Sequence, residues 1–254
     1  MARKIVMTSG KGGVGKTTMT ALIGSCLAKK GERVVLIDAD FGLNNLDVCL
    51  GLDGGAPYGI ADVAAGKCRV KQALQKHPKY PNLYVLSGGQ EEKVCEEEMF
   101  QAMVTELETD FDYIFIDCPA GLGEGFSLAV SVADEAVVVV APRLFSVRDA
   151  DKVVQRLKGV GIEAISLLVN LSRGDLVVTG EEFSPLEIAK LLRLPVLGVV
   201  PYQYTLPCEE NPKPHVSVRY AVDVLRGGRR RVYDPTKRYL GFLGYFRRRL
   251  KRSL

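Results

Sequence analysis

The chain has 254 residues, 47% of them hydrophobic and 25% charged, which is enough apolar material for one sizeable core or at most two small ones. The net charge of +4 is uneven: from Arg219 onward twelve Lys or Arg residues stand against Asp223 and Asp234, leaving the other 218 residues at −6, so only the C-terminal segment calls for an anionic partner, phospholipid or nucleic acid. The longest apolar run, "AVVVVAP" at 136–142, is strand length and excludes a membrane-spanning helix, and the "MARKIVMTSG" start has no apolar h-region for export.

In chain order, "KIVMTS" (4–9) reads as a strand that feeds "SGKGGVGKTT" straight into a helix over 16–30. That context makes the pattern G-x-x-x-x-G-K-[ST] a phosphate-binding loop. Gly10, Gly12, Gly13 and Gly15 let backbone N–H groups curl around phosphate oxygens, with Val14 and Thr18 in the same stretch, and the positive end of the helix adds to the attraction. Lys16 is placed to neutralise the β and γ phosphates, and Thr17 to hold Mg²⁺. Lys16 already completes the pattern, so Lys11 is surplus. It is either a side chain that crosses to a nucleotide held by a second copy, as an arginine finger does in trans, or an exposed lysine with no specific role.

The strand "RVVLID" (33–38) ends at Asp38, with Asp40 one step into the loop. Asp40 has the better reach to orient an attacking water; Asp38 is assigned to the metal or, alternatively, to capping the loop. After a strand at "LYVLS" (83–87) and a helix over 91–108, "YIFID" (113–117) delivers Asp117 to the same sheet edge, where it is expected to hold a metal-bound water. A helix over 125–133, strand 135–141, helix 146–158, strand 165–170, helix 185–192 and strand 195–200 complete the alternation. Because the strands are continuously apolar, they suit an α/β fold with a doubly wound, mostly parallel sheet covered by helices on both faces. The six cysteines, at 26, 49, 68, 95, 118 and 208, form no C-x-x-C pair and are expected as reduced core thiols; His77 and His215 are expected to carry no role.

Composition breaks at "RGGRRRVYDP" (226–235), dividing the chain into a body of 1–226, a linker of 227–236 and a tail of 237–254. In the tail, Asp234 and Pro235 read as the cap and first position of a helix. Residues spaced at 100° put Tyr239, Leu243, Phe246 and Leu250 within about 40° of one another, flanked by Leu240 and Phe242, with basic residues opposite. Gly241 and Gly244 weaken the helix in water, and an anionic bilayer surface would order it. DNA is the weaker alternative, since a phosphate-backbone binder has no need of an apolar stripe.

"GKGGVGKTT" resembles the deviant Walker A loop of the ParA/MinD family of ATPases. "LIDADFGLNNLDVCLGL" (36–52) is similar to that family's switch I, "DYIFIDCPAG" (112–121) to its Walker B and switch II, and "SVRDADKV" (146–153) to a dimer-facing helix start, together covering about residues 2–202. The resemblance implies a P-loop ATPase using ATP and Mg²⁺, slow and stimulated by partners, in which Lys11 acts across an ATP-bound homodimer beside Lys16 and Asp40. It also implies that Asn170, otherwise a turn residue, lies with Pro201 and Tyr202 around adenine. "FGLNNLD", "DCPAG" and "SVRDAD" resemble the septum-positioning branch. That branch implies a peripheral protein of the cytoplasm and inner face of the cell membrane that recruits a MinC-like division inhibitor and answers to a MinE-like regulator. The rivals within the family are the flagellar-number regulator, a DNA-partition ATPase and a redox carrier bridged by an iron-sulfur cluster. Two positions depart from the pattern: Arg143 stands at a usually acidic site, and Gly123, followed by Glu124, at a usual glutamate.

Overall fold

The computed structural model describes residues 1–41, 45–52, 56–89, 95–202, 214–242 and 244–245. Its elements are β1 (Arg3–Thr8), α1 (Lys16–Lys29), β2 (Val34–Asp38), α2 (Asn45–Leu50), α3 (Ile60–Ala64), α4 (Val70–Ala73), β3 (Gln75–Lys76), β4 (Leu83–Leu86), α5 (Glu97–Leu107), β5 (Tyr113–Asp117), α6 (Glu124–Ser131), β6 (Glu135–Val140), α7 (Leu144–Gly159), β7 (Ala164–Ser172), α8 (Gly174–Thr179), α9 (Pro185–Leu192), β8 (Val196–Pro201) and α10 (Val216–Leu225). The sheet runs β3-β4-β2-β5-β1-β6-β7-β8, parallel throughout except for the two-residue β3 against β4.

The apolar strands are explained by what covers them. Alternate residues point to opposite layers, so a strand buried on both sides has no place for a polar residue until its end. Val6, Val35, Ile37, Ile114 and Ile116 join a core built with α5, α6, α7 and α9, whereas Ile5, Met7, Val34, Leu36 and Phe115 join one built with α1, α2 and α10. Phe115 is fully buried, and truncating such a side chain to alanine costs about 3–5 kcal/mol.

Local chemistry fixes the element ends. In "SPLE", Ser184 Oγ accepts from the Glu187 N–H at 3.2 Å while Glu187 accepts from the Ser184 N–H at 2.7 Å, and Pro185 takes the first turn, so α9 starts there. His77 is buried; its Nδ1 accepts from the Lys79 and Tyr80 N–H groups, which leaves Nε2 to donate to the Leu50 carbonyl at 3.2 Å and tie the end of α2 to the sheet edge. His215 caps α10 by accepting from the Ser217 N–H at 3.2 Å. Both histidines thus have structural roles that the sequence reading did not give them. Cys26 and Cys118 are buried, Cys49, Cys68 and Cys95 partly so, and all five are free thiols; Cys208 lies outside the described residues.

The stretch 227–236, expected as a linker, is instead laid back along α10. Arg226 Nε holds Glu32 at 2.7 Å, the Gly228 N–H reaches the Asp223 carbonyl at 2.7 Å, Arg231 stacks over Tyr220 at 5.1 Å, and Tyr233 meets His215 edge-on at 4.8 Å. Pro235 then packs on Gly174, at the start of α8, where any Cβ would collide with the Pro235 carbonyl. The strap therefore runs from the amino end of the sheet, where Arg3 binds the Leu225 carbonyl, to the carboxyl end beside β7. The tail is not one helix from Asp234 onward: Asp234 caps a turn through the Thr236 N–H at 2.9 Å, and Gly241 adopts a left-handed φ of 72° where helical backbone begins. Of the stripe, Tyr239 is half-buried and Leu240 and Phe242 are exposed; Leu243, Phe246 and Leu250 lie outside the described residues.

Candidate nucleotide-binding site

The loop between β1 and α1 is built to surround an anion. Gly13 and Gly15 hold left-handed φ values of 77° and 83°, which glycine adopts without the penalty other residues meet, and these turn successive N–H groups to one side. A side chain at Gly12 or Gly13 would meet nothing within 4 Å, so these two glycines stand clear of the rest of the fold. Ser9 Oγ donates to the Lys11 carbonyl at 3.1 Å and fixes the loop entry, leaving the Lys11 side chain exposed. Gly10 is pressed against the backbone of Asp149 and Ala150 in α7, with no room for a methyl group.

Asp117 is the hub. Parallel pairing sets it beside Met7 on one neighbour and Asp38 on the other, at the carboxyl ends of β1, β5 and β2. Its Oδ2 takes Thr17 Oγ1 at 2.7 Å and Lys16 Nζ at 2.9 Å, and its Oδ1 takes Thr20 Oγ1 at 2.8 Å. Burial works against the Lys16 charge, but the neighbouring acidic groups, Asp117 foremost, outweigh it and the Lys16 pKa is raised. Thr20 was missed in the sequence. Its signal was the spacing Lys16-Thr17-Thr20, which on a helix sets Thr17 and Thr20 on one face.

Asp38 is almost fully buried and caps the following segment, with Oδ1 accepting from the Asp40 N–H at 3.0 Å and Oδ2 from the Leu46 N–H at 3.1 Å. Burial, reinforced by the neighbouring Asp117, raises its pKa to about 7. The loop-capping alternative describes these contacts, and Asp38 remains one strand over from the Thr17–Asp117 pair. Asp40 is partly exposed, and burial raises its pKa against the pull of Lys16. Cys118, behind Asp117, is fully buried and its thiol is pushed up to about 12 by desolvation, which disfavours the thiolate that a bridging cluster needs.

On the far side, Asn170 is buried and donates from Nδ2 to the Val14 carbonyl at 2.8 Å, with Gly15 directly beneath the amide. The geometry thus shows Asn170 as a brace of the phosphate loop. The next residue, Leu171, holds φ 59°, a conformation that costs a non-glycine residue about 1–2 kcal/mol and marks a break in the β7–β8 ladder. Pro201 pairs with Ser172, and the Tyr202 N–H donates to the Ser172 carbonyl at 3.0 Å, so both sit at the same sheet edge as Asn170. Nothing in the local sequence announces the strained Leu171.

Arg143 precedes α7 at its exposed start, next to the exposed Leu144 and Phe145. Gly123 precedes α6, its carbonyl accepting from the Ser127 N–H at 3.1 Å, with Glu124 exposed beside it.

A glycine cradle at a helix start, an invading lysine and a hydroxyl–aspartate pair at adjacent strand ends define a P-loop nucleotide-binding protein with an ATPase fold. A family model described as an AAA domain matches residues 2–167. The septum site-determining protein MinD of Synechocystis is 47% identical over 203 residues, covering 79% of this chain and 76% of that one. Among solved structures, the MinC:MinD cell division protein complex of Aquifex aeolicus is similar with a TM-score of 0.84 and 36% identity, covering 90% of this chain and 97% of that one. MinD of Pyrococcus horikoshii, complexed with Mg-ADP, has a TM-score of 0.76 at 28% identity, covering 89% and 98%. The chain belongs to the MinD family of septum site-determining proteins.

Proposed function

We propose that the chain is a magnesium-dependent ATPase switch that pairs with a second copy when it holds ATP, settles on the inner face of the cell membrane through its tail, and positions the division septum by recruiting a MinC-like inhibitor. The observation that carries the reading is the convergence of Lys16 and Thr17 on Asp117 at 2.9 and 2.7 Å at the end of a glycine loop, with Lys11 exposed at the loop's entry.

These residues fit ATP and Mg²⁺. Mg²⁺ takes few protein oxygens and completes its shell with water and phosphate oxygens, and the hydroxyl of Thr17 beside the carboxylate of Asp117 supplies that donor set. When bound, the metal neutralises charge on the β and γ phosphates. The backbone from Gly12 to Thr18 and the Lys16 ammonium bind the phosphates, Asp40 orients the attacking water, and Asn170 holds the loop in shape beside Pro201 and Tyr202 on the adenine side. Lys11 extends to the nucleotide of the partner subunit, so hydrolysis dismantles the pair. The weak tail then becomes a strong anchor only in pairs, through effective concentration. Support for the inhibitor comes from the Aquifex relative, which forms a MinC complex.

The deciding experiment is sedimentation of the purified chain with Mg²⁺ and a non-hydrolysable ATP analogue, followed by flotation on anionic vesicles. A dimer that floats with the analogue and not with ADP is expected. A monomer in the presence of the analogue would refute the reading.

A further inference from the structure

The nucleotide site leaves unused a wall of positive charge along the α1 and α10 layer, away from the phosphate loop. Lys29 and Lys30 at the end of α1, Arg219 on α10, and Arg226, Arg229, Arg230 and Arg231 on the strap set seven cations against Glu32, Asp223 and Asp234. Arg226 is taken by Glu32 at 2.7 Å and Lys30 by Asp223 at 3.0 Å; Arg229 and Arg230 are exposed and hold no carboxylate among the described residues. Apolar side chains are exposed along the same segment, Val232 at 41%, Leu240 at 57% and Phe242 at 79%. Unlike a floppy basic linker, this surface is held in place by the Arg231–Tyr220 and Tyr233–His215 contacts.

We propose that the arginine strap, with Val232 at its crest, is a second contact for an anionic phospholipid bilayer, one that fixes which wall of the folded body lies on the membrane. It rests on the reading of the tail as a lipid anchor. Guanidinium groups form paired hydrogen bonds with lipid phosphates, and exposed apolar side chains among them enter the headgroup boundary. Random-sequence nucleic acid would use the charges but leave Val232, Leu240 and Phe242 in water, which is why lipid is the better match. Because the strap runs the height of the sheet, a bilayer against it lies parallel to the strands. The nucleotide edge then faces along the membrane, where a second copy seated on the same bilayer meets Lys11.

The test uses the full chain with Mg²⁺ and a non-hydrolysable ATP analogue, titrated with vesicles of phosphatidylglycerol and phosphatidylcholine. Near an anionic surface each arginine contributes about fivefold in affinity, so the double variant Arg229→Ser, Arg230→Ser should bind about 25-fold more weakly, with a shallower dependence on salt and on anionic lipid fraction. Neither residue has a partner among the described residues whose loss would unfold the protein, and unchanged nucleotide affinity verifies this. A polarity-sensitive fluorophore on Val232→Cys should shift to the blue when vesicles are added. Wild-type binding by the double variant, or a fluorophore that does not respond, overturns the strap while leaving the tail anchor standing. Undiminished binding by a chain lacking 237–254 removes the anchor itself, and the strap proposal with it. A double variant that loses random-sequence DNA binding and keeps vesicle binding assigns the surface to nucleic acid and overturns the proposal.

Discussion

Two threonines on successive positions of one helix face share a single carboxylate, and replacing each with valine should separate stability from metal binding. Thr20 is fully buried, and its hydroxyl, 2.8 Å from Asp117 Oδ1, is the only partner of that oxygen among the described residues. Thr20→Val keeps the shape and leaves a buried carboxylate oxygen without a donor, a loss of about 2 kcal/mol. For a chain of this size that is a fall in melting temperature of about 4–8 °C. Thr17→Val also removes a hydrogen bond to Asp117, but Oδ2 keeps Lys16 at 2.9 Å and Thr17 is partly exposed, so the stability loss should be about 0.5–1 kcal/mol. Its effect appears instead in nucleotide binding, where the gain in affinity on adding Mg²⁺ should disappear. Urea unfolding followed by circular dichroism, with a fluorescent ATP analogue titrated with and without Mg²⁺, reads both quantities; Thr20→Ser is the control that restores the hydroxyl. If Thr20→Val unfolds at the wild-type midpoint, or if Thr17→Val is the less stable of the two, the arrangement around Asp117 described above is wrong.

Lys11→Ala should leave stability and monomeric nucleotide affinity unchanged, because the side chain is exposed, and should abolish analogue-dependent dimers in sedimentation; a variant that still pairs refutes the trans role. Asn170→Ala removes the 2.8 Å bond to the Val14 carbonyl and should cost about 1–2 kcal/mol while weakening nucleotide binding, so a variant unaltered in both unfolding and titration would show that the brace is idle. His77 is held neutral by burial, which lowers its pKa from 6.5. The unfolded chain then takes up the proton first, and the stability that His77 contributes is complete above about pH 6.5 and lost as pH falls from there toward the depressed folded value. The fall in unfolding free energy between about pH 6.5 and 5 should therefore be smaller in His77→Gln, and equal slopes would count against it.

Seven apolar runs were legible as strands because a sheet covered on both faces leaves no ambiguity of period, and their polar ends, Asp38 and Asp117, marked the active edge. The phosphate loop was legible because its glycines are dictated by backbone geometry. What escaped notice depended on tertiary contacts. The "VSVRYAVDVL" segment has the β-branched residues of a strand yet forms α10, because β8 and α1 bury its apolar face. Helices α2, α3, α4 and α8, four to six residues each, are too short for a periodic signal, and β3 spans two residues. Leu171 and the close approach of Gly10 to α7 arise from how β7 and α7 meet the loop, which no local pattern encodes. The strap was read as a spacer from its glycines and arginines; its stacking on Tyr220 and His215 required partners that lie before it in the chain.

Ten free residues between the body and the proposed anchor would act as a leash spanning about 16–19 Å in random directions, letting each tail explore the surface on its own. The bracket formed by residues 226–235 removes that slack, because its far end is clamped to Gly174 within reach of the strand that carries Asn170. In the membrane-bound pair proposed above, a body that tilts carries the start of its tail, residues 237–242, with it.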